Sequence, residues 1–141
     1  MNFPFEKITE NAGETKAVAE EFAKELSDGD LVLFHGNLGA GKTFFVQSVC
    51  EAFGIEGITS PTFSLVNEYA EEKKIFHIDL YRVEKAEEFE NIGLYDYLSD
   101  EDAIKFIEWA ELFPEQLTDY DFLIAIEYYD ENKRKIKIER K

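Results

Sequence analysis

The sequence predicts an α/β sandwich, a mixed central sheet with some antiparallel strands flanked by helices. Three observations carry that expectation. A short, almost wholly apolar run at Leu31–His35 has the composition of a strand covered on both faces. A glycine-rich stretch and then apolar residues at helical spacing follow it, so strand, loop and helix occur in order. Farther along, runs rich in aromatic and β-branched residues mix with acidic, helix-like sequence, and no repeat or low-complexity segment interrupts them.

Taken in order, Val18, Phe22 and Leu26 recur at helical spacing and predict an amphipathic helix from Asn11 to Leu26, with Thr9 or Asn11 as its N-cap. Asp28-Gly29 breaks it, and the buried strand Leu31–His35 follows. Phe45, Val49, Ala52 and Phe53 fall on one face of a second helix, which Gly54 stops. Phe63–Tyr69 and Ile75–Tyr81 read as the two strands of a hairpin turning through 70–74. Helical, acidic sequence resumes near Glu84; Ala103–Trp109 and Phe122–Tyr129 are further strands. A turn at Asp130-Glu131-Asn132 leads into a last, alternating strand, Lys135–Glu139, whose outward lysines suit a sheet edge.

Size and composition bound the function. The 141 residues fit one domain, 1–141, and 45% hydrophobic content with 13 Phe and 7 Tyr supplies a core. The first ten residues lack the apolar run of an export signal, and no run approaches the ~18 residues that span a bilayer. The lone Cys50 forms no intrachain disulfide, and no Cys/His spacing suggests zinc, so a reducing cytosol is the expected compartment. A net charge of −16 disfavours a protein built to grip nucleic-acid phosphates and favours a protein partner or a small molecule. Residues 132–141 depart from that trend, with six basic residues and one acid; they are either a docking patch or the outward face of the last strand.

The strongest chemical signal is Gly36-Asn37-Leu38-Gly39-Ala40-Gly41-Lys42-Thr43, which matches the phosphate-binding pattern G-x-x-x-x-G-K-[ST]. Its glycines allow a tight turn that brings backbone N–H groups to phosphate oxygens, and the loop opens onto a helix N-terminus that favours anions. Lys42 supplies a charge toward the β- and γ-phosphates, and Thr43 a hydroxyl ligand for Mg²⁺. Phosphoryl transfer also needs an acid near the metal and a group to orient the nucleophile. Three strand-end acids compete for those tasks: Asp79, Glu108 and Glu127. Pattern alone does not rank them, although Glu127 has the most apolar run before it.

Beyond the loop, the chain carries Ser60-Pro61-Thr62-Phe63, His77-Ile78-Asp79-Leu80-Tyr81-Arg82 and Ile107-Glu108-Trp109 in that order. Together these resemble the TsaE (YjeE) family of P-loop ATPases, which act in making threonylcarbamoyladenosine in tRNA. The resemblance runs from about Glu14-Thr15 to Trp109, and it implies a P-loop NTPase-like sandwich using ATP and Mg²⁺. It makes Asp79 the Walker B-like acid and Glu108 a second acid at the catalytic centre. Thr62 becomes part of a switch-like loop, and Glu127 is left to structure. The implied catalytic residues are Lys42, Asp79 and Glu108, and the metal-side groups Thr43, Asp79 and Glu108. Nucleotide contacts fall on Asn37, Leu38, Gly39, Ala40, Gly41, Lys42, Thr43, Thr62 and Trp109.

The implied partners are TsaB- and TsaD-type proteins, with neither a membrane nor a strong nucleic-acid grip of the chain's own. Asn37 departs from the family's frequent Asp and Ala110 from its common Pro, and the last thirty residues carry no family motif. His77 shares a strand face with Asp79, but a satisfied core histidine is the preferred reading; Arg82 has phosphate or carboxylates as alternatives. ATP is preferred to GTP because Asn132-Lys133 continues as Arg134-Lys135 and not as a guanine-reading Asn-Lys-x-Asp. A small-molecule kinase and a nucleotide-dependent binding module without hydrolysis are the alternatives. Only three arginines, Arg82, Arg134 and Arg140, are available for a kinase's phosphate clamp.

Overall fold

The computed structural model describes residues 1–37, 39–61 and 65–141. The expectations placed on Leu38, on Thr62 and on residues 63–64 of the first hairpin strand lie outside the described residues. In chain order the elements are β1 (Phe5–Thr9), α1 (Ala12–Ala23), β2 (Leu31–His35), α2 (Lys42–Ala52), β3 (Val66–Ala70) and β4 (Lys74–Asp79). Two short helices follow, α3 (Glu88–Asn91) and α4 (Leu94–Leu98), then β5 (Ile104–Glu108), a 3₁₀ turn at Ala110–Leu112, β6 (Phe122–Tyr128) and β7 (Arg134–Arg140).

The strands form one seven-stranded mixed sheet in the order β1-β7-β6-β2-β5-β4-β3, flanked by helices as the sequence predicts. At its centre β2 pairs in parallel with both β5 and β6, and β4 pairs in parallel with β5. The remaining pairs, β3 with β4, β6 with β7 and β1 with β7, are antiparallel.

Side-chain alternation sorts each central strand between two cores. On β2, Val32 and Phe34 enter a core with Val18 and Phe22 of α1 and Phe45 and Val49 of α2. Leu31 and Leu33 enter the second, with Phe89, Leu94, Phe113 and Leu117. Four consecutive buried residues are what a strand covered on both faces requires.

Several sequence expectations are corrected. The first helix spans Ala12–Ala23, not Asn11–Leu26; Asn11 is its N-cap, its side chain accepting from the Glu14 N–H, while Thr9 belongs to β1. In α2, Ala52 is exposed, and Val46 and Cys50 take its place on the buried face beside Phe45 and Val49. The Ala103–Trp109 strand stops at Glu108, because Trp109 adopts φ 62 and turns the chain out of the sheet. Helix returns at Glu88, not Glu84, in two pieces separated by Gly93. The last strand is not an edge: β7 lies between β6 and β1, and one of its lysines pairs across strands, Lys135 with Glu6 at 3.3 Å, while Lys137 pairs with Glu139 on the same strand. The edge on that side is β1, which periodicity did not predict.

Candidate active site

The glycine-rich loop runs from the C-terminal end of β2 to the N-terminus of α2, and close backbone approach dictates its glycines. A Cβ on Gly36 would sit 2.5 Å from the carbonyl oxygen of Ile126 in β6, a separation that side chains do not reach. Gly41, the N-cap of α2, has φ 104, a left-handed conformation open to glycine. The two major helices then differ at their starts. α1 is capped by Asn11 and carries Glu14 in its first turn, whereas α2 has neither a capping side chain nor an acid in its first turn. That leaves the positive end of α2 directed at the loop, suited to an anion.

Lys42 and Thr43 occupy the first turn of α2. The Lys42 ammonium donates to the Gly36 carbonyl, closing the loop on itself, and lies 3.5 Å from the centroid of the Trp109 ring. Only 4% of Lys42 is exposed, and burial pulls its pKa below the ordinary lysine value against the opposing pull of Glu111, Glu108 and Asp79. Trp109 also packs on Tyr81, their ring centroids 4.9 Å apart. The Thr43 hydroxyl lies 2.9 Å and 3.1 Å from the two carboxylate oxygens of Glu108 and 3.5 Å from the Ser60 hydroxyl.

Strand register sets two of the acids side by side, with Glu108 at that hydroxyl. Asp79 at the end of β4 lies directly opposite Glu108 at the end of β5. Both alternate with residues of the core that α1 and α2 cover, Ile75 on β4 and Ile104 and Phe106 on β5, so both side chains are on the α2 side of the sheet. The buried Glu108 carboxylate accepts from Thr43 and also from His77, whose Nε2 is 2.5 Å from Glu108 Oε2. Asp79 Oδ1 accepts from the Tyr81 N–H at 2.9 Å; burial raises its carboxyl pKa, that hydrogen bond opposes the rise, and nearby Glu108 adds to it.

Glu127 is placed elsewhere. It follows Ile126, which faces the α1–α2 core, so alternation sends Glu127 to the opposite side of the sheet, where it is exposed and stands across from Lys135.

The sequence reading missed two residues that hold the loop. Glu111, in the 3₁₀ turn after Trp109, accepts from the Gly36 N–H at 2.8 Å through Oε2. Arg134 of β7 donates from Nε to the Ala40 carbonyl at 3.1 Å, with its guanidinium 4.9 Å from the Tyr128 ring. Neither carries a local pattern. A carboxylate three residues after Glu108 and an arginine in a basic tail look like ordinary surface residues until the sheet brings them to the loop.

The protein-family comparison matches residues 9–136 to the model of TsaE, the threonylcarbamoyl adenosine biosynthesis protein. The chain belongs to the TsaE family. It is 40% identical over 140 residues to the tRNA threonylcarbamoyladenosine biosynthesis protein TsaE of Aquifex aeolicus, covering 96% of each chain. To the TsaE protein of Bacillus subtilis it is 38% identical over 130 residues, covering 91% of this chain and 80% of the relative. Among solved structures, that of Bacillus subtilis YdiB superposes with a TM-score of 0.79 at 30% identity, covering 97% of this chain and 86% of that one. The TsaE match reaches through β6 into β7, so it includes Arg134 and its bond to the loop.

Proposed function

We propose that this TsaE-family chain is a Mg²⁺-dependent ATPase serving threonylcarbamoyladenosine formation in tRNA, acting as a cycling switch on TsaB- and TsaD-type partner proteins. The observation that carries the chemical part is the meeting of Thr43 with Glu108, at 2.9 and 3.1 Å, on the first turn of an uncapped helix that also bears Lys42. The β- and γ-phosphates lie along 36–43, where backbone N–H groups and the end of α2 receive them. Phosphate oxygens compete with the Gly36 carbonyl for the Lys42 ammonium. Glu108 orients the attacking water and draws its proton, and the site works by positioning and charge complementarity.

The donor set fits Mg²⁺, because Thr43, Asp79 and Glu108 offer oxygen atoms only. Among the described residues no group of three or more His, Cys, Asp or Glu side chains forms a metal cage. Mg²⁺ is ordinarily held by one or two protein groups together with phosphates and water, and when bound it neutralises charge between the β- and γ-phosphates. A net charge of −16 suits a protein that leaves the tRNA to its partners.

The test is single-turnover hydrolysis of Mg-ATP, with and without TsaB- and TsaD-type proteins, for wild type and Lys42→Ala. Lys42→Ala is expected to fold, to bind nucleotide more weakly and to hydrolyse it at least ~10²-fold more slowly, about 2.7 kcal/mol of transition-state stabilisation. A folded Lys42→Ala protein with unchanged hydrolysis would refute the proposal.

A further inference from the structure

The geometry points to His77 as the positioning residue of Glu108: one hydrogen bond from its ring sets the direction in which the Glu108 carboxylate faces. This rests on the proposed role of Glu108 toward the attacking water and adds to it the element that holds Glu108 in place.

His77 is completely buried on β4, two residues before Asp79, and its register partner on β5 is Phe106, two residues before Glu108. Parallel pairing therefore sets His77 diagonally behind Glu108, on the same face of the sheet and on the core side of the carboxylate. From there Nε2 reaches Glu108 Oε2 at 2.5 Å. Glu108 is itself 3% exposed and holds two polar partners among the described residues, Thr43 in front and His77 behind. Thr43 belongs to the phosphate side, where nucleotide and metal make demands on its hydroxyl. His77 lies away from that side, so its contact is the one that stays the same whatever the loop holds. Similar support by a neighbour behind the working group is what fixes orientation at other polar sites.

The second ring nitrogen separates this role from simple packing. His77 Nδ1 is buried with no hydrogen-bond partner among the described residues. A residue serving only to fill the core would bury no such nitrogen, and leucine or phenylalanine would fill the space without it. A ring hydrogen on Nε2, donated to the carboxylate, leaves Nδ1 as the ring's acceptor nitrogen. The polar ring thus has one described contact that requires it, the bond to Glu108.

The experiment compares wild type with His77→Gln, His77→Asn and His77→Leu in Mg-ATP turnover, with affinity for a non-hydrolysable ATP analogue measured in parallel. Glutamine places an amide donor the same number of bonds from Cα as Nε2, whereas asparagine stops one bond short and leucine offers no donor. The expected result is kcat for His77→Gln within about threefold of wild type and at least ~10-fold lower for His77→Asn and His77→Leu, with analogue affinity within about threefold in all. In a Glu108→Gln background, His77→Leu is expected to cost less than about twofold more, because both changes act on one carboxylate. Equal turnover in all variants, a glutamine no better than asparagine, or full additivity with Glu108→Gln would overturn the inference while leaving ATP hydrolysis standing. If His77→Leu does not fold, the comparison of glutamine with asparagine decides, since both are polar and differ in reach. A wild type that hydrolyses no ATP with its partners present removes the proposed function first, and this inference with it.

Discussion

Glu111 offers the sharpest structural test of how the loop is held, because it reaches the loop through one charged hydrogen bond. Glu111→Ala removes the acceptor of the Gly36 N–H, 2.8 Å away, at the point where β2 becomes the loop. A hydrogen bond to an ionised group contributes about 1.5–3 kcal/mol. The lower end applies here, since Glu111 Oε1 is buried without a partner among the described residues and alanine relieves that cost. A loss of about 1.5 kcal/mol in a chain of this length lowers the melting temperature by roughly 5 °C.

Glu111→Gln keeps a carbonyl oxygen for Gly36 and removes only the charge. It is expected to lose less than half as much stability and to bind ATP at least as tightly as wild type, because one anion beside Lys42 is gone. The assays are calorimetric melting without nucleotide and titration with Mg-ATP. An alanine variant that melts with wild type, or a glutamine variant that binds ATP more weakly than the alanine variant, would refute the reasoning.

The three acids separate by amide substitution. Asp79→Asn should weaken the Mg²⁺ dependence of nucleotide binding, and Glu108→Gln should bind ATP while suppressing turnover. Glu127→Gln, exposed on the far side of the sheet, should change stability by no more than about 0.5 kcal/mol and leave turnover alone. If Glu127→Gln alone loses turnover, the assignment of the other two fails. Trp109, the single tryptophan, lies against Lys42, so Mg-ATP should shift its fluorescence and Lys42→Ala should remove that response at the same concentration. A flat titration where calorimetry detects binding would contradict this.

Burial pushes the Cys50 thiol up to about 12 from an ordinary 9.0. Its stabilising contribution is present below pH 9 and lost as pH rises toward 12, because the unfolded thiol ionises first. Between pH 8 and pH 10 wild type should lose on the order of 1 kcal/mol relative to Cys50→Ala in urea unfolding; an unchanged difference would show that Cys50 ionises freely in the fold.

What could be read from the sequence was local. The apolar run Leu31–His35, bounded by Gly29 and Gly36, matches β2 residue for residue, because a strand buried on both faces has a pattern that needs no partner to interpret. The hairpin around 70–74 and the helix after Gly41 were legible for the same reason. β1 was not: Phe5-Glu6-Lys7-Ile8-Thr9 has Glu6, Lys7 and Ile8 exposed, and only its pairing with β7 makes it a strand.

The site divides in the same way. The loop motif names Lys42 and Thr43 directly, but the choice among Asp79, Glu108 and Glu127 depends on which sheet face α2 covers. Alternation gives each acid a face relative to its own strand; sheet order supplies the rest, and sheet order is not written in any one segment. The contacts of His77, Glu111 and Arg134 depend on register between strands and turns far apart in sequence, so no single stretch announces them.

The pairing of β1 with β7 sets an order of events during synthesis. Thr9 and Arg134, hydrogen-bonded in the finished sheet, are separated by 125 residues, and β1 lies at the sheet edge with β7 as its neighbour. At the ~5–20 residues per second of translation, β1 waits on the order of ten seconds after it is made before its neighbour follows. The charges of Glu6 and Lys7 give that waiting segment a poor edge for pairing with another chain. β1 therefore stays unpaired until β7 exists, and the pairing that ends the wait lies beside Arg134, the residue that steadies the glycine-rich loop at Ala40.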